Sequence, residues 1–264
     1  MSAADQVLVA EGFTPPGPGD FELPAVFGDS LLFTKPALLL VLAAVLVFGF
    51  FLVTSRKMAM VPSKAQYAGE EAYSFVRNGI ARDIIGSSDF IRFVPLLVAL
   101  FFFILINNVF GIVPFIQFPS FSRVSFAYAL AGLVWVLYNG VGIWKHGLFG
   151  YLKHVTVPGG IGGPILLLII PLEFFSTVIV RPATLALRLF ANMFAGHLLL
   201  ILFTLGAEYL VFEAGKAAYT PVGVLAFLMA IAISFLELLV QFLQAYVFTL
   251  LTAMYISGAL AEEH

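Results

Sequence analysis

Runs of about 20 or more apolar residues recur along most of this chain, and each is long enough to cross a hydrocarbon core of about 30 Å. A soluble fold of this size has nowhere to hide them. Of 264 residues, 61% are hydrophobic and 11% charged, against about 45–50% and 25% in ordinary soluble domains. The membrane is therefore the solvent. The expected fold class is an all-α polytopic membrane protein with about five transmembrane helices and a surface amphipathic helix, the last two helices being very long and tilted.

The same composition removes whole classes of function. A formal net charge of -2 without any basic block leaves nothing to neutralise a phosphate backbone, so nucleic acid is not a partner. Without cysteine there is no disulfide framework, thiolate metal site or thiol nucleophile. No phosphate loop, metal-ligand cluster or hydrolase triad is present, so neither a cofactor nor an ATP-hydrolysing site is expected in this chain.

Along the chain, residues 1–30 read as an acidic, Pro/Gly-rich extramembrane tail without the basic start of a cleavable signal. A first span occupies 31–55, with Pro36 near its start, where a missing N–H is tolerated. Residues 56–89 form a connection in which Ser63-Lys-Ala-Gln66 offers a capping box. Tyr73, Val76, Ile80 and Ile84 then recur at helical spacing, as in a helix lying on the membrane surface or a solvated connector. A hairpin of two spans fills 90–144, turning at Pro114 to Arg123, and a loop follows over 145–163, where His146 and His154 read as solvated. Residues 164–264 hold two apolar stretches, from about Pro164 to Gly206 and Pro221 to Leu260, each roughly twice an ordinary span. No turn cluster divides either one, so each is expected to be a single tilted helix, with Pro171 and Pro182 bending the first.

Lysine and arginine favour the cytoplasmic side. Five spans place Lys35, Arg123 and Lys216 on one side, and Arg56, Lys57, Lys64, Arg77, Arg82, Arg92, Lys145 and Lys153 on the other. The N-terminus is therefore expected outside and the C-terminus in the cytoplasm.

Ionisable groups deep in a bilayer cost about 2.5 kcal/mol or more and ask for a function. Arg188 is the deepest, stays protonated at any accessible pH, and can fix a positive potential without shuttling protons. Asn192 lies one turn away. Arg181, two turns the other way, reads either as part of this stripe or as a snorkelling side chain. If the two long helices run antiparallel, His197 faces Glu237 closely enough to share a proton, and Arg188 faces Gln244. Glu237, Gln241 and Gln244 stripe the second helix, as a proton path or as interhelical hydrogen-bond glue. Glu173 stands fifteen residues from Arg188, about 22 Å along the helix. With Ser176 and Thr177 it lines a polar path, or it is an interfacial carboxylate. Arg188 thus lacks an internal counter-ion, and a partner protein is expected to supply one. Ala183, Ala186, Ala191, Ala195 and Gly196 would let that partner approach closely, and Asn107 and Asn108 read as helix glue.

These residues have a familiar arrangement. The run Ala186-Leu-Arg-Leu-Phe-Ala-Asn-Met-Phe-Ala-Gly-His197 resembles the signature of the subunit a family of F-type ATP synthases. So do Leu243-Gln-Ala-Tyr-Val-Phe-Thr-Leu-Leu-Thr252 and Tyr255-Ile-Ser257, with looser matches at Leu172 to Ser176 and Asn108 to Pro114. The resemblance implies a stator subunit that forms no ATP itself. Its partners would be the rotating c-ring, the peripheral stalk b subunits, the rest of the synthase complex and the lipid of a bacterial plasma membrane, favoured over a mitochondrial inner membrane.

By the same resemblance, Arg188 is the essential arginine that meets ring carboxylates and blocks leakage between two offset half-channels. Protons would enter past His197, Glu237, Gln241, Gln244 and Asn192 and leave past Glu173 and Ser176. Where some members have a carboxylate and then a histidine, this chain has His197 and Glu237, so the pair is exchanged. Many members also carry an acid where this chain has Gly111, and no acidic role passes to that position. A stand-alone channel or secondary transporter is the alternative, and it would require internal symmetry and a built-in counter-ion for Arg188.

Overall fold

The computed structural model describes residues 15–17, 19, 34–56, 59–86, 89–113, 116–157, 165–213 and 217–261. Most of the expected N-terminal tail, with Lys57, Pro114, residues 158–164 and Lys216, lies outside them. Among the described residues five helices are long and apolar enough to cross a membrane, and the all-α polytopic expectation holds.

Helix α1 is Lys35–Ser55, with Pro36 in its first turn, where proline's absent N–H has no helical partner to lose. Helix α2 covers 64–85 in three parts, Lys64–Val76, a π-helical Arg77–Arg82 and Asp83–Ile85. Half of its capping box forms: Ser63 Oγ accepts from Gln66 N at 3.3 Å. The other half does not. Gln66 reaches back to Ala59, accepting from its N–H and donating to its carbonyl, both at 3.2 Å.

Helix α3 is Phe90–Val109 and α4 is Val124–Thr156. The expected loop from Lys145 is instead a helical continuation broken at Gly147, whose φ of 71° and ψ of 166° suit only glycine. Beyond the break the chain folds back until Tyr151 lies over Gly142, where a Cβ would collide with the Tyr151 ring. Tyr151 OH donates to Asn139 Oδ1 at 3.0 Å and holds the fold-back.

The two long apolar stretches are single helices. Helix α5 spans Leu166–Glu213 and α6 spans Thr220–Leu260. Near Pro182, α5 is interrupted by a π-helical turn over Ser176–Val180, the local consequence of a residue that cannot donate to the helix. These two helices form the most extensive interface in the molecule, and α3 and α4 pack against them. The core they share is tight because alanine recurs at the crossings. Ala127, Ala131, Ala186, Ala245 and Ala253 are fully or nearly fully buried beside Phe101, Leu189, Met193 and Phe248, and small side chains let helix axes approach where lipid supplies no hydrophobic drive.

Candidate functional site

Arg188 is carried on the face of α5 that its neighbours leave open. Thr184, Arg188, Ala191 and Ala195, spaced i, i+4, i+7 and i+11, are all exposed, whereas Leu185, Ala186, Leu189 and Met193 face the core. The guanidinium has no hydrogen bond or ion pair to any described residue. Two polar clusters in the α5–α6 pair lie to either side of it along α5.

The first cluster is built of amides and one carboxylate. Asn192 Nδ2 donates to Gln244 Oε1 at 2.7 Å, joining α5 to α6. Gln241 Nε2 donates to Glu237 Oε1 at 3.3 Å. Glu237 packs against Gly196, whose missing side chain leaves the room: a Cβ there would stand 3.4 Å from Glu237 Oε1. Asn108 Nδ2 on α3 reaches the backbone carbonyl of Gln241 at 3.3 Å, so it does act as interhelical glue, while Asn107 turns to Phe103 O at 2.8 Å on its own helix. His197, Glu237, Gln241 and Gln244 are all buried. Several polar atoms here, Glu237 Oε2, Gln241 Oε1, Gln244 Nε2 and Asn108 Oδ1, have no partner among the described residues, and such groups in a protein interior ordinarily bind ordered water.

Two expected pairings differ in detail. Gln244 meets Asn192 rather than Arg188, a shift of one helical turn in the antiparallel register. Glu237 bonds Gln241 rather than the imidazole, and the backbone of Gln117 lies beside His197. Gln117 sits in the turn after α3 with a positive φ of 42°, a conformation uncommon for a residue with a Cβ.

The second cluster is an ion pair among phenols. Arg181 Nη2 and Glu173 Oε1 are 3.3 Å apart, with side chains 36% and 33% exposed. The Arg181 guanidinium also lies over the Tyr255 ring, 5.7 Å from its centroid, a cation–π placement. Tyr138, Tyr151, Thr177, Gly258 and Ala259 complete the walls of a cleft of about 150 Å³. Ser176 is not among its lining residues, whereas Thr177 is. Beside the cleft, Lys145 Nζ donates to Leu260 O at 2.7 Å and caps the last carbonyls of α6.

Sequence reasoning thus found Arg188 and the members of the first cluster, but missed the Glu173–Arg181 pair and the neighbouring turn at Gln117. Eight residues on a regular helix leave two side chains about 80° apart, and nothing in a helical wheel suggests that they meet. The available signal was Pro182, which predicts a disturbed turn between them. Tyr138 and Tyr151 gave no pattern at all, because they enter from α4.

Comparison with known proteins agrees with this arrangement. A family model described as ATP synthase A chain matches residues 37–257. The chain is 62% identical over 275 residues to ATP synthase subunit a of a Nocardioides species, covering 99% of both chains. It is 51% identical to ATP synthase subunit a of Pseudarthrobacter chlorophenolicus, over 96% of this chain and 95% of the relative. With the protein of the same name from Streptomyces lividans the identity is 42%, over 96% and 90%. A match over nearly the whole length, containing both polar clusters and the arginine between them, means that this chain belongs to the ATP synthase A chain family.

Proposed function

We propose that this chain conducts protons between two offset half-channels and the carboxylates of a rotating c-ring, with Arg188 as the electrostatic divider. It is a multi-pass membrane protein and, as a family member, a stator subunit of the proton-translocating sector of an ATP synthase.

The observation that carries the reading is the state of Arg188: exposed on an apolar face, unpaired among the described residues, and placed between two polar clusters. A guanidinium facing lipid alone would be costly. The carboxylates on the long helices nearest to it are otherwise engaged, Glu173 by Arg181 and Glu237 by Gln241, while Glu208 and Glu213 stand at the far end of α5, about 30 Å or more along the axis. The counter-ion therefore comes from outside the chain, and a ring carboxylate passing the Thr184–Ala195 face supplies it. The alanines beside Arg188 leave room for that approach.

His197, Glu237, Gln241, Gln244 and Asn192 form the route from the outer surface, with water joining the unpartnered atoms. Glu173, Thr177 and the surrounding tyrosines form the route to the cytoplasm. Helices of 48 and 41 residues extend about 72 and 62 Å, so they fit a hydrocarbon core of about 30 Å only by lying strongly tilted along the ring. The same reading places α2 on the cytoplasmic surface, the N-terminus outside, the peripheral stalk b subunits against this stator, and the whole in a bacterial plasma membrane. Each proton gains about 2.3 kcal/mol per 100 mV of potential, and rotation carries that energy to a separate catalytic sector.

The test is ATP-driven acidification of inverted vesicles carrying Arg188→Ala, with ATP hydrolysis and complex assembly measured alongside. Acidification should fall to background in an assembled complex. Acidification near the normal rate would make Arg188 structural and sink the reading.

A further inference from the structure

The π-turn over Ser176–Val180 has a definite hydrogen-bonding consequence. The Arg181 N–H bonds to Ser176 O, one residue further back than in an α-helix. The Thr177 carbonyl thereby loses its α-helical donor. Its π-helical donor would be the N–H of residue 182, which is proline and has none. Thr177 is 1% exposed, so its carbonyl needs a partner from another element. Tyr138, buried on α4, supplies it: Tyr138 OH donates to Thr177 O at 3.0 Å. Its ring is held 5.4 Å from that of Tyr255, which fixes the hydroxyl's aim.

The turn also decides which residues meet. On an uninterrupted α-helix Glu173 and Arg181 stand about 80° apart around the axis. A wider turn with i→i+5 bonding advances less per residue, and five such residues bring the two side chains onto a common face, where they pair at 3.3 Å. Without it, Arg181 would add a second unpaired cation to the face of Arg188, seven residues on.

We propose that Tyr138 is a positioning residue for ion translocation: its hydroxyl holds the π-turn that delivers Arg181 to Glu173, so that of these two arginines only Arg188 presents an unneutralised charge to the ring. The functional half of this inference rests on the reading of Arg188 given above, while the structural half stands on its own.

The experiment uses Tyr138→Phe in the assembled synthase, with two readouts. Because the chain has no native cysteine, a Glu173→Cys/Arg181→Cys pair can be bridged by a short bifunctional thiol reagent, and this reports the π-turn whatever the flux. Bridging should drop in Tyr138→Phe and return when para-aminophenylalanine, which keeps a donor, replaces Tyr138. Acidification of inverted vesicles should fall in Tyr138→Phe by up to about fivefold, the most that loss of the part-exposed pair it serves can cost. The same change in a Glu173→Gln background should cost nothing more, since the pair it serves is already broken. Unchanged bridging in Tyr138→Phe overturns the proposal whatever Arg188 does. Reduced bridging with unchanged flux overturns its functional half, and additive losses in the Glu173→Gln background make Tyr138 merely structural. Failure of Tyr138→Phe to assemble, with normal assembly of the aminophenyl variant, makes the hydroxyl a folding group and also overturns it.

Discussion

The polar groups to either side of Arg188 solve the same problem in different ways. Toward His197 they are amides around a carboxylate, buried except for the half-buried Asn192 and joined across three helices. Toward Glu173 they are an ion pair, about one-third exposed and walled by tyrosines. Neutral amides tolerate burial because both their donors and acceptors can be matched or hydrated. A guanidinium and a carboxylate do so less well, and the charged cluster lies where the ends of α4, α5 and α6 leave a cleft. One cluster is therefore held by packing and the other by charge and a special turn. Each should fail in its own way.

Gly196→Val tests packing most severely, because Glu237 already fills the space a side chain needs. Overpacking of this kind costs about 1–3 kcal/mol, so acidification should fall about fivefold to more than a hundredfold, while Gly196→Ala, at ordinary contact distance, should stay near normal. Equal effects of the two would remove packing from the account. Gln244→Leu comes next. It strands Asn192 and breaks one interhelical hydrogen bond, worth about 0.6 and at most about 1.7 kcal/mol, so vesicle acidification should drop about threefold and at most about eighteenfold.

Glu173→Gln should do less. A part-exposed ion pair contributes about 0.2–1 kcal/mol, which predicts a loss of about fivefold at most in the same assay. A larger loss than in Gln244→Leu would reverse the contrast and give the charged cluster the greater share of the work. The smallest effect is expected from Asn108→Leu, which removes the tie from α3 to α6. It should lower the thermal midpoint of the assembled complex by the equivalent of about 0.6 kcal/mol and leave acidification intact. A change in flux would place Asn108 on the path rather than beside it.

Much of this was legible in the residues. Apolar runs without turn clusters predicted helices, and α5 and α6 are indeed unbroken by any loop. Of the small residues expected to slim the helix around Arg188, Ala191 and Ala195 share its open face, whereas Ala186 is buried in the core and Gly196 faces Glu237. Glu237, Gln241 and Gln244 share a stripe because their spacing follows the 3.6-residue turn, and all three are buried. The chain beyond Lys145 was less readable. Its break is a single glycine with φ 71°, and Gly147 looks no different in the sequence from a glycine in any loop.

What the sequence determined by itself is the solvent, the helices and the identity of the deep charges, because hydrophobic length, periodicity and the cost of burying a charge are all local properties of the chain. Tertiary structure alone decided the partners: Gln244 with Asn192, Gln241 with Glu237, Arg181 with Glu173, and Tyr138 with a carbonyl that Pro182 cannot serve. Pairing depends on the register between helices and on one irregular turn within a helix. A shift of a single residue there rotates every later side chain by about 100°.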